Sequence, residues 1–393
     1  MSNGLIDDKL EQHSRWAPWV IVGYFVVQLI VRLLISSKLE VDDAEMVGQV
    51  YWALGYPNSH PPLYHWVVRV CYEIFHYWPA ATVVPRYALL AATYLLVYDT
   101  GRRITGSAIT GAVAAACLFF VPVVCWKSHG KLTHSVLGIM ATAALLHAII
   151  LLLVRPKTWM FVWLGLVLTI GTLAKYNFLL VAGAAGIAIL CVTDLRGRFA
   201  DRRALICVIL PAALTLPHWL WVWSNPASLT ENRYRLHITG GPLGLHFGIN
   251  SVWNGLISLF LMIAISAGPM LLFYLSAQLV CRKDTSGTHP DQTMIVRTMQ
   301  RFLGWMVLME IALCVVVIFV GDVWQVHERY LLVLVPPLPL YVSLRLQADK
   351  HPCLARLTFA AAIALALFIT IARPISLKSD EQSLTPAPKT AEN

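Results

Sequence analysis

The stretch that decides the fold is residues 16–45, WAPWVIVGYFVVQLIVRLLISSKLEVDDAE. It begins with an apolar run over 16–36, about the ~20 residues that a helix needs to cross a bilayer. Three carboxylates, Asp42, Asp43 and Glu45, then follow within four residues. Elsewhere the chain avoids charge, since only 13% of its 393 residues are charged and 58% are hydrophobic, whereas soluble domains carry roughly 25% charged residues. The sequence therefore predicts a membrane protein with an acidic segment directly after its first span.

Apolar runs recur along the chain and predict an all-α, polytopic helical membrane protein with about eleven transmembrane helices. The predicted spans are 16–36, 80–99, 107–124, 135–154, 159–174, 178–194, 204–223, 252–280, 301–320, 329–346 and 356–373. The N-terminus lacks the basic start and cleavage site of a signal peptide, so the first run should remain as a helix. We expect a transmembrane catalytic domain over 1–346, a final transmembrane helix over 347–375 and a disordered tail over 376–393.

The net charge of +9 has a topological explanation, so it does not indicate a nucleic acid partner. Basic residues fall in every second loop, at 102–103, 155–157, 196–203, 282–301 and 345–356. By the positive-inside rule these loops are cytoplasmic, which places the N-terminus inside and, after an odd number of spans, the C-terminal tail outside. The eight cysteines show no metal-ligand spacing and are expected to be small core residues.

The loops on the other side of the membrane, the outer loops, then hold most of the side chains that could take part in chemistry. These loops are 37–79, 125–134, 175–177, 224–251 and 321–328, and the Glu328-Arg329-Tyr330 segment lies at the end of the last one. A charged group at the edge of the hydrocarbon is costly unless it is paired or faces a wet cavity. Convergence of five distant loops therefore predicts a functional site on the outer face. Transporters place such residues near the bilayer midplane and often show inverted repeats; this chain shows no repeat.

Two interpretations of the acidic segment remain open at this stage. Asp42-x-x-Glu45 can act as a capping box for a short helix that runs to about Leu54. The carboxylates can also accept a proton from an attacking hydroxyl or hold a divalent cation. Likewise, lysines and arginines in the outer loops can be side chains that snorkel to the interface, or cations that bind an anionic group such as a phosphate. After His60-Pro61-Pro62, a rigid turn leads into an amphipathic interfacial stretch over 64–77.

Several motifs together resemble the first outer loop of the GT-C glycosyltransferases. They are Asp42-Asp43-Ala44-Glu45, Tyr51-Trp52-Ala53-Leu54-Gly55-Tyr56 and Pro61-Pro62-Leu63-Tyr64-x-Trp66. Supporting matches are Leu132-Thr133-His134-Ser135, Leu173-Ala174-Lys175-Tyr176-Asn177, Pro217-His218 and Glu328-Arg329-Tyr330. The resemblance covers most of residues 15–345. It is greatest to the branch of the rhizobial lipopolysaccharide galacturonosyltransferases, which is related to the lipid A aminoarabinose transferases and the protein O-mannosyltransferases.

The resemblance implies a reaction and a role for each matched residue. Such enzymes move a sugar from a polyprenyl phosphate to an acceptor hydroxyl, usually with inversion. Here the acceptor would be lipid A, a lipopolysaccharide core or another envelope glycan, on the periplasmic side of a bacterial inner membrane. By position, Asp42 would be the general base, and Asp43 and Glu45 would position the acceptor or a cation. The cations Lys175, Arg329 and Lys131 would neutralise the donor phosphate.

The remaining matched residues are expected to contact the substrates. They are His60, Tyr64, His134, Tyr176, Asn177, Arg233 and Glu328. A requirement for Mg²⁺ or Mn²⁺, held by Asp42, Asp43 and Glu45, stays open. Several relatives have a large soluble C-terminal domain that the short tail here does not match, so loop 224–251 is the best substitute for acceptor recognition. The alternatives are a protein O-glycosyltransferase of the same superfamily and a flippase or transporter for lipid-linked sugars.

Overall fold

The structure, a computed structural model, describes residues 2–56, 60–228, 249–281, 293–346 and 350–379. Every regular element assigned in these ranges is helical. The helices are α1 (Ser2–Ser14), α2 (Ala17–Ile35), α3 (Val41–Val47), α4 (Leu63–Phe75), α5 (Trp78–Thr105), α6 (Ala108–Cys117), α7 (Pro122–Cys125), α8 (Thr133–Val154), α9 (Thr158–Ala174), α10 (Phe178–Cys191), α11 (Thr193–Phe199), α12 (Ile206–Ser224), α13 (Ile249–Val280), α14 (Met294–Gly321), α15 (Glu328–Leu331), α16 (Pro337–Arg345) and α17 (Pro352–Ser379).

The chain is a multi-pass membrane protein. Among the described residues, seven helices are long and apolar enough to cross a bilayer, and up to nine spans result if two bent helix pairs each count as one. Helix α9 is apolar but only 17 residues long. The all-α fold is thus confirmed, whereas the predicted number of eleven spans is not.

One predicted span differs clearly from the structure. Residues 329–346 form the short helix α15, a 3-10 turn over Leu332–Leu334, and the nine-residue helix α16. Three prolines, Pro336, Pro337 and Pro339, lie in this segment. Because proline lacks the backbone N–H and clashes with the preceding turn, three prolines within four residues favour a break, and α16 begins at Pro337.

Helix α8 forms the centre of the bundle. Within its most apolar window 83% of the residues are buried, against 17% for α2 and α13, whose apolar faces lie outside. Helix α8 packs against α5 and α9, and α10 packs against α14. Helix α17 packs against α2 and α6 and ends at Ser379. The predicted domain boundaries stay a prediction, and the predicted tail lies largely outside the described residues.

The two ends of the bundle have different chemistry. The end that carries α3, the starts of α5, α8 and α10, and the end of α17 is here called the carboxylate face. The other end, with α11 and the starts of α14 and α17, is called the opposite face. There Cys281 and Cys353 form a disulfide between the end of α13 and the start of α17. For these two cysteines the expectation of small core residues was wrong, since their separation of 72 residues carries no local signal.

Candidate active site

The acidic segment forms α3, a helix of seven residues that ends at Val47 rather than near Leu54. Asp42 and Asp43 lie in its first turn, where carboxylates interact favourably with the helix dipole. The predicted capping box was wrong, because the N-cap residue is Glu40 and its side chain makes no capping hydrogen bond. That carboxylate is instead engaged by arginines from two other helices.

Glu40 is the centre of a buried ion-pair cluster. Both of its carboxylate oxygens lie 2.9 Å from Nη2 of Arg373, near the end of α17. Arg32, near the end of α2, approaches Glu40 with Nε at 3.9 Å. The Arg32 guanidinium also donates to the carbonyls of Ser36 and Lys38 at 2.7 and 2.8 Å. The start of α3 is therefore fixed to the first and last long helices.

Gly130 makes this arrangement sterically possible. A Cβ atom built at Gly130 would lie 1.5 Å from Nη2 of Arg373 and 2.1 Å from Oε2 of Glu40. No side chain fits at that distance, so the backbone of loop 125–134 can approach the ion pair only because residue 130 is glycine. The second outer loop is thereby packed directly onto the base of the acidic segment.

Asp43 belongs to a second buried ion pair. Its Oδ1 accepts from Nη2 of Arg86, on α5, and neither side chain has any exposed surface. Arg86 also donates to the carbonyl of His129 at 3.4 Å. Burial raises the pKa of Asp43 to about 6, and the Arg86 guanidinium opposes that rise, so the carboxylate is ionised at neutral pH. Its burial favours a supporting role over direct contact with an acceptor.

Asp42 is the neighbouring carboxylate and is only half-buried. Its Oδ2 accepts from the backbone N–H of Leu132 at 2.8 Å. Leu132 has φ 70° and ψ 38°, in the left-handed region that a bulky residue rarely adopts. Such a conformation costs about 1–3 kcal/mol and persists only where the surroundings enforce it. Here it aims the N–H at Asp42 and holds that carboxylate from one side.

Lys175 lies beyond Asp42, at the end of α9, and is 7% exposed. Its Nζ donates to Oγ of Ser135 and, at 2.9 Å, to the carbonyl of Arg329. It also lies 5.6 Å from the centroid of the Tyr330 ring. Burial lowers the pKa of Lys175 to about 7; the Arg329 guanidinium lowers it further, and the Asp42 carboxylate raises it. These three charged groups therefore act on each other at one place.

The other predicted cations are more accessible. Arg329 and Lys131 are both exposed, and neither makes an ion pair with a described carboxylate. Glu328, in contrast, is paired with Lys127 of the second outer loop. Burial opposes it, but the hydrogen bond from Lys127 lowers the pKa of Glu328 overall. Glu328 thus links the second and fifth outer loops.

Aromatic side chains connect the first outer loop to the start of α8. His60 stacks on His134 with ring centroids 4.3 Å apart, and Nε2 of His134 lies 3.2 Å from Nδ1 of His65. His65 stacks in turn on Tyr56 at 3.9 Å. Burial lowers the pKa of His65 to about 4, so its imidazole is neutral. Tyr64 lies fully buried beneath His134, with its ring centroid 5.2 Å away.

The third outer loop is held in a similar way. The hydroxyl of Tyr176 lies 3.0 Å from Nε2 of His218, whose Nδ1 lies 2.6 Å from the carbonyl of Leu54. Nδ2 of Asn177 donates to the carbonyl of Tyr330 at 3.1 Å. Loops one, three and five are therefore connected by hydrogen bonds around Lys175.

The structure thus brings together most of the predicted site residues at the carboxylate face. Glu45 lies on the exposed side of α3. Arg233 and most of loop 224–251 lie outside the described residues. In the described part of the chain, no group of three His, Cys, Asp or Glu side chains could hold a metal ion, and Asp43 is already bonded to Arg86. The three carboxylates therefore do not fit a shared cation site, and a cation requirement stays a prediction to be tested.

Sequence reasoning missed the arginines of this site, Arg32, Arg86 and Arg373, together with Glu40 and Gly130. A signal was present for the arginines. Each lies a few residues inside the outer end of an apolar run, where the positive-inside rule gives no reason for a cation. An ionisable residue in such a position is a functional candidate by default.

Several known proteins are similar to this chain in sequence or in fold. The model of the family described as dolichyl-phosphate-mannose-protein mannosyltransferase matches residues 59–221. The chain is similar to the lipopolysaccharide core galacturonosyltransferase RgtA of Rhizobium johnstonii, with 28% identity over 330 residues, 84% of this chain and 64% of that protein. It is also similar to RgtB of the same organism, with 27% identity over 342 residues, 86% of this chain and 67% of that protein. The chain thus spans about two thirds of these relatives.

Among solved structures, the chain is similar to ArnT from Cupriavidus metallidurans bound to undecaprenyl phosphate. The TM-score is 0.59 at 14% identity, over 93% of this chain and 80% of that one. At this identity the likeness concerns the fold alone.

Proposed function

We propose that this chain is a membrane glycosyltransferase of the GT-C superfamily and that it transfers a sugar from a polyprenyl phosphate to an envelope glycolipid. The acceptor is a hydroxyl of lipid A, a lipopolysaccharide core or a similar envelope glycan. The reaction takes place on the periplasmic face of a bacterial inner membrane, with inversion at the anomeric carbon. The names of the relatives, which are lipopolysaccharide core galacturonosyltransferases, support this acceptor class.

The observation that carries the proposal is that Asp42, Lys175 and Arg329 lie close enough to interact electrostatically. A carboxylate that can accept a proton lies near two cations that no described carboxylate neutralises in an ion pair. An acceptor hydroxyl and an anionic leaving group need this pair of functions. The arrangement lies at the carboxylate face of the bundle, where we expect a lipid-borne donor to reach it.

The chemistry follows from those positions. Asp42 accepts the proton of the acceptor hydroxyl as its oxygen attacks the anomeric carbon of the donor sugar. The bond between that carbon and the phosphate oxygen breaks, and negative charge grows on the departing polyprenyl phosphate. Lys175 and Arg329, with Lys131, stabilise this growing charge, and they therefore help the transition state more than the bound donor. Asp43, through its ion pair with Arg86, supports the position of Asp42, and Glu45, on the exposed side of α3, helps to position the acceptor.

Transfer by the purified protein in detergent tests the proposal. A panel of radiolabelled polyprenyl-phosphate sugars, including galacturonosyl, aminoarabinosyl and mannosyl forms, is incubated with total envelope lipids or envelope proteins, with and without EDTA. We expect label to move to a lipid fraction with the wild-type protein. Asp42→Asn should lower kcat by about 10²–10⁴-fold. Glu73→Gln, which changes a surface carboxylate of the interfacial helix α4, is the matched control.

Each other outcome of this experiment has a defined meaning. Label that moves only to envelope proteins would replace the acceptor class with protein hydroxyls. Loss of transfer with EDTA would establish a cation requirement that the described carboxylates do not explain. If no donor is used while the protein moves such lipids across liposome membranes, the activity is that of a flippase.

A further inference from the structure

A cavity of about 450 Å³ lies on the opposite face of the bundle, far from the candidate active site. It is formed between the first turns of α14 and the last turns of α16, and Arg297, Arg301, Trp305, Leu308, Tyr341 and Arg345 line it. Helix α14 reaches the carboxylate face only at Gly321, 20 residues after Arg301, which is about 30 Å along the axis. The cavity therefore takes no part in the proposed transfer reaction.

The chemistry of the cavity is strongly cationic. Its lining includes three arginines, and no carboxylate of the described residues belongs to it. Arg301 and Arg345 are exposed and make no ion pair with a described acidic side chain. The described carboxylate that contacts this end of α14 is Asp194, which accepts from Thr298 at 2.7 Å. Arginine is well suited to phosphate because its planar guanidinium presents several donors in a fixed geometry.

The lining changes from charged to apolar along the axis of α14. On α14, Trp305 lies one turn after Arg301 and Leu308 lies about two turns after it, which is about 6 and 10 Å further along the helix axis. Both are well exposed, at 41% and 51%. On the facing helix, Arg345 lies over the ring of Tyr341, with its guanidinium carbon 5.9 Å from the ring centroid. The cavity thus offers cations near the end of the bundle and apolar surface further along α14.

Gly304 of α14 also lines the cavity, opposite Tyr341 of α16. A Cβ built at Gly304 would lie 3.4 Å from Cε2 of Tyr341. A larger side chain would therefore extend into the space between the two helices. Topological charge explains why this face is basic, but it does not explain why two helices converge on a cavity with this order of side chains.

We propose that this cavity binds an anionic phospholipid of the membrane. The phosphate lies between Arg301 and Arg345, and an acyl chain follows Trp305 and Leu308 towards the bilayer interior. Basic pockets between transmembrane helices on the cytoplasmic side bind such headgroups. The apolar continuation favours a lipid over a free phosphate, because a free anion would use only the arginines.

Native mass spectrometry of the full chain in detergent tests this site. The protein is titrated with phosphatidylglycerol or with phosphatidylethanolamine of the same acyl composition. In a separate arm, its melting temperature is measured with phosphatidylglycerol and with inorganic phosphate. An arginine near an anionic lipid contributes about 1 kcal/mol, which is about fivefold in affinity. The Arg301→Gln/Arg345→Gln variant should therefore bind phosphatidylglycerol about 25-fold more weakly. Arg196→Gln/Arg198→Gln removes two exposed charges of the same face, on α11, and should bind like wild type.

The same titrations can overturn the proposal. Equal losses in the two double variants would mean that net charge, not a site, attracts the lipid. Equal binding of phosphatidylethanolamine would exclude recognition of an anionic headgroup. If inorganic phosphate raised the melting temperature of the wild type as much as phosphatidylglycerol, and the Arg301/Arg345 variant lost both effects, the site would bind a free anion. Size-exclusion chromatography of every variant verifies that it is folded.

Discussion

The candidate active site has two halves that differ in whether their buried cations form ion pairs with carboxylates of the protein. In one half, the arginine network, the cations Arg32, Arg86 and Arg373 are matched by the carboxylates Glu40 and Asp43, and all five are buried. In the other half, the donor side, Lys175 is buried with only a hydroxyl and a carbonyl as hydrogen-bond partners. A cation in an ion pair within the protein holds the fold together, whereas a buried cation that no described carboxylate bonds in an ion pair is suited to an anion that arrives from outside.

The largest expected effect is on the arginine network. Arg86→Met leaves the ionised Asp43 buried without its ion-pair partner, and breaking a buried pair in this way costs about 3–5 kcal/mol of stability. The double variant Arg86→Met/Asp43→Asn removes both charges and should recover most of the loss. Chemical unfolding in detergent measures both. A single variant as stable as the wild type would contradict the assignment of this half to structural support.

On the donor side, replacing a buried cation by methionine should not lower the free energy of unfolding, in contrast to Arg86→Met. Lys175→Met removes a buried ammonium that makes no ion pair with a described carboxylate and whose pKa burial lowers, so the free energy of unfolding should stay equal or rise. Binding of polyprenyl phosphate should weaken by about 2–5 kcal/mol, because a buried charge contact is lost. Arg69→Gln, on the surface of α4, is the control. A less stable Lys175→Met variant that still binds donor would remove the distinction between the two halves.

An intermediate effect is expected where the second outer loop meets the arginine network. Gly130→Ala places a methyl group where the Arg373–Glu40 pair lies, and overpacking of this kind costs about 1–3 kcal/mol. Gly197→Ala on α11 is the matched control, since a Cβ there meets no atom within 4 Å. Thermal unfolding and transfer activity should both fall for the first variant alone. If the two variants behave alike, the close approach at Gly130 has no energetic weight.

The smallest expected effect is a pH dependence of donor binding. The pKa of Lys175 is lowered to about 7, so its charged fraction falls as the pH rises through that value. Donor affinity should therefore decrease above pH 7, by up to about tenfold per pH unit. Lys175→Arg keeps its charge and should bind donor with little change between pH 7 and 9. Equal pH profiles for the two proteins would show that another group titrates.

The sequence predicted those features of the fold that depend on local pattern. Helices α8 and α9 begin within two residues of the predicted spans 135–154 and 159–174, because unbroken apolar runs specify them. The outer loops were also expected to converge, and the structure brings Asp42, Lys175 and Arg329 together. The ion pairs were not predictable, since Asp43 and Arg86 are 43 residues apart and Glu40 and Arg373 are 333 apart. The periodicity of apolar residues predicts helices, but it does not predict ion pairs between side chains so far apart in the sequence.

The pairing of Glu40 with Arg373 also has a consequence for biosynthesis. A ribosome adds roughly 5–20 residues per second, so the acidic segment emerges roughly 20–70 s before its arginine partner on α17. Throughout that time α2 and the segment after it are in the membrane with one cation of the cluster missing. The active site is therefore completed only when the last long helix inserts. A nascent chain that stalls before α17 contains every residue proposed for the chemistry, but its acidic segment lacks the anchor that holds it in place.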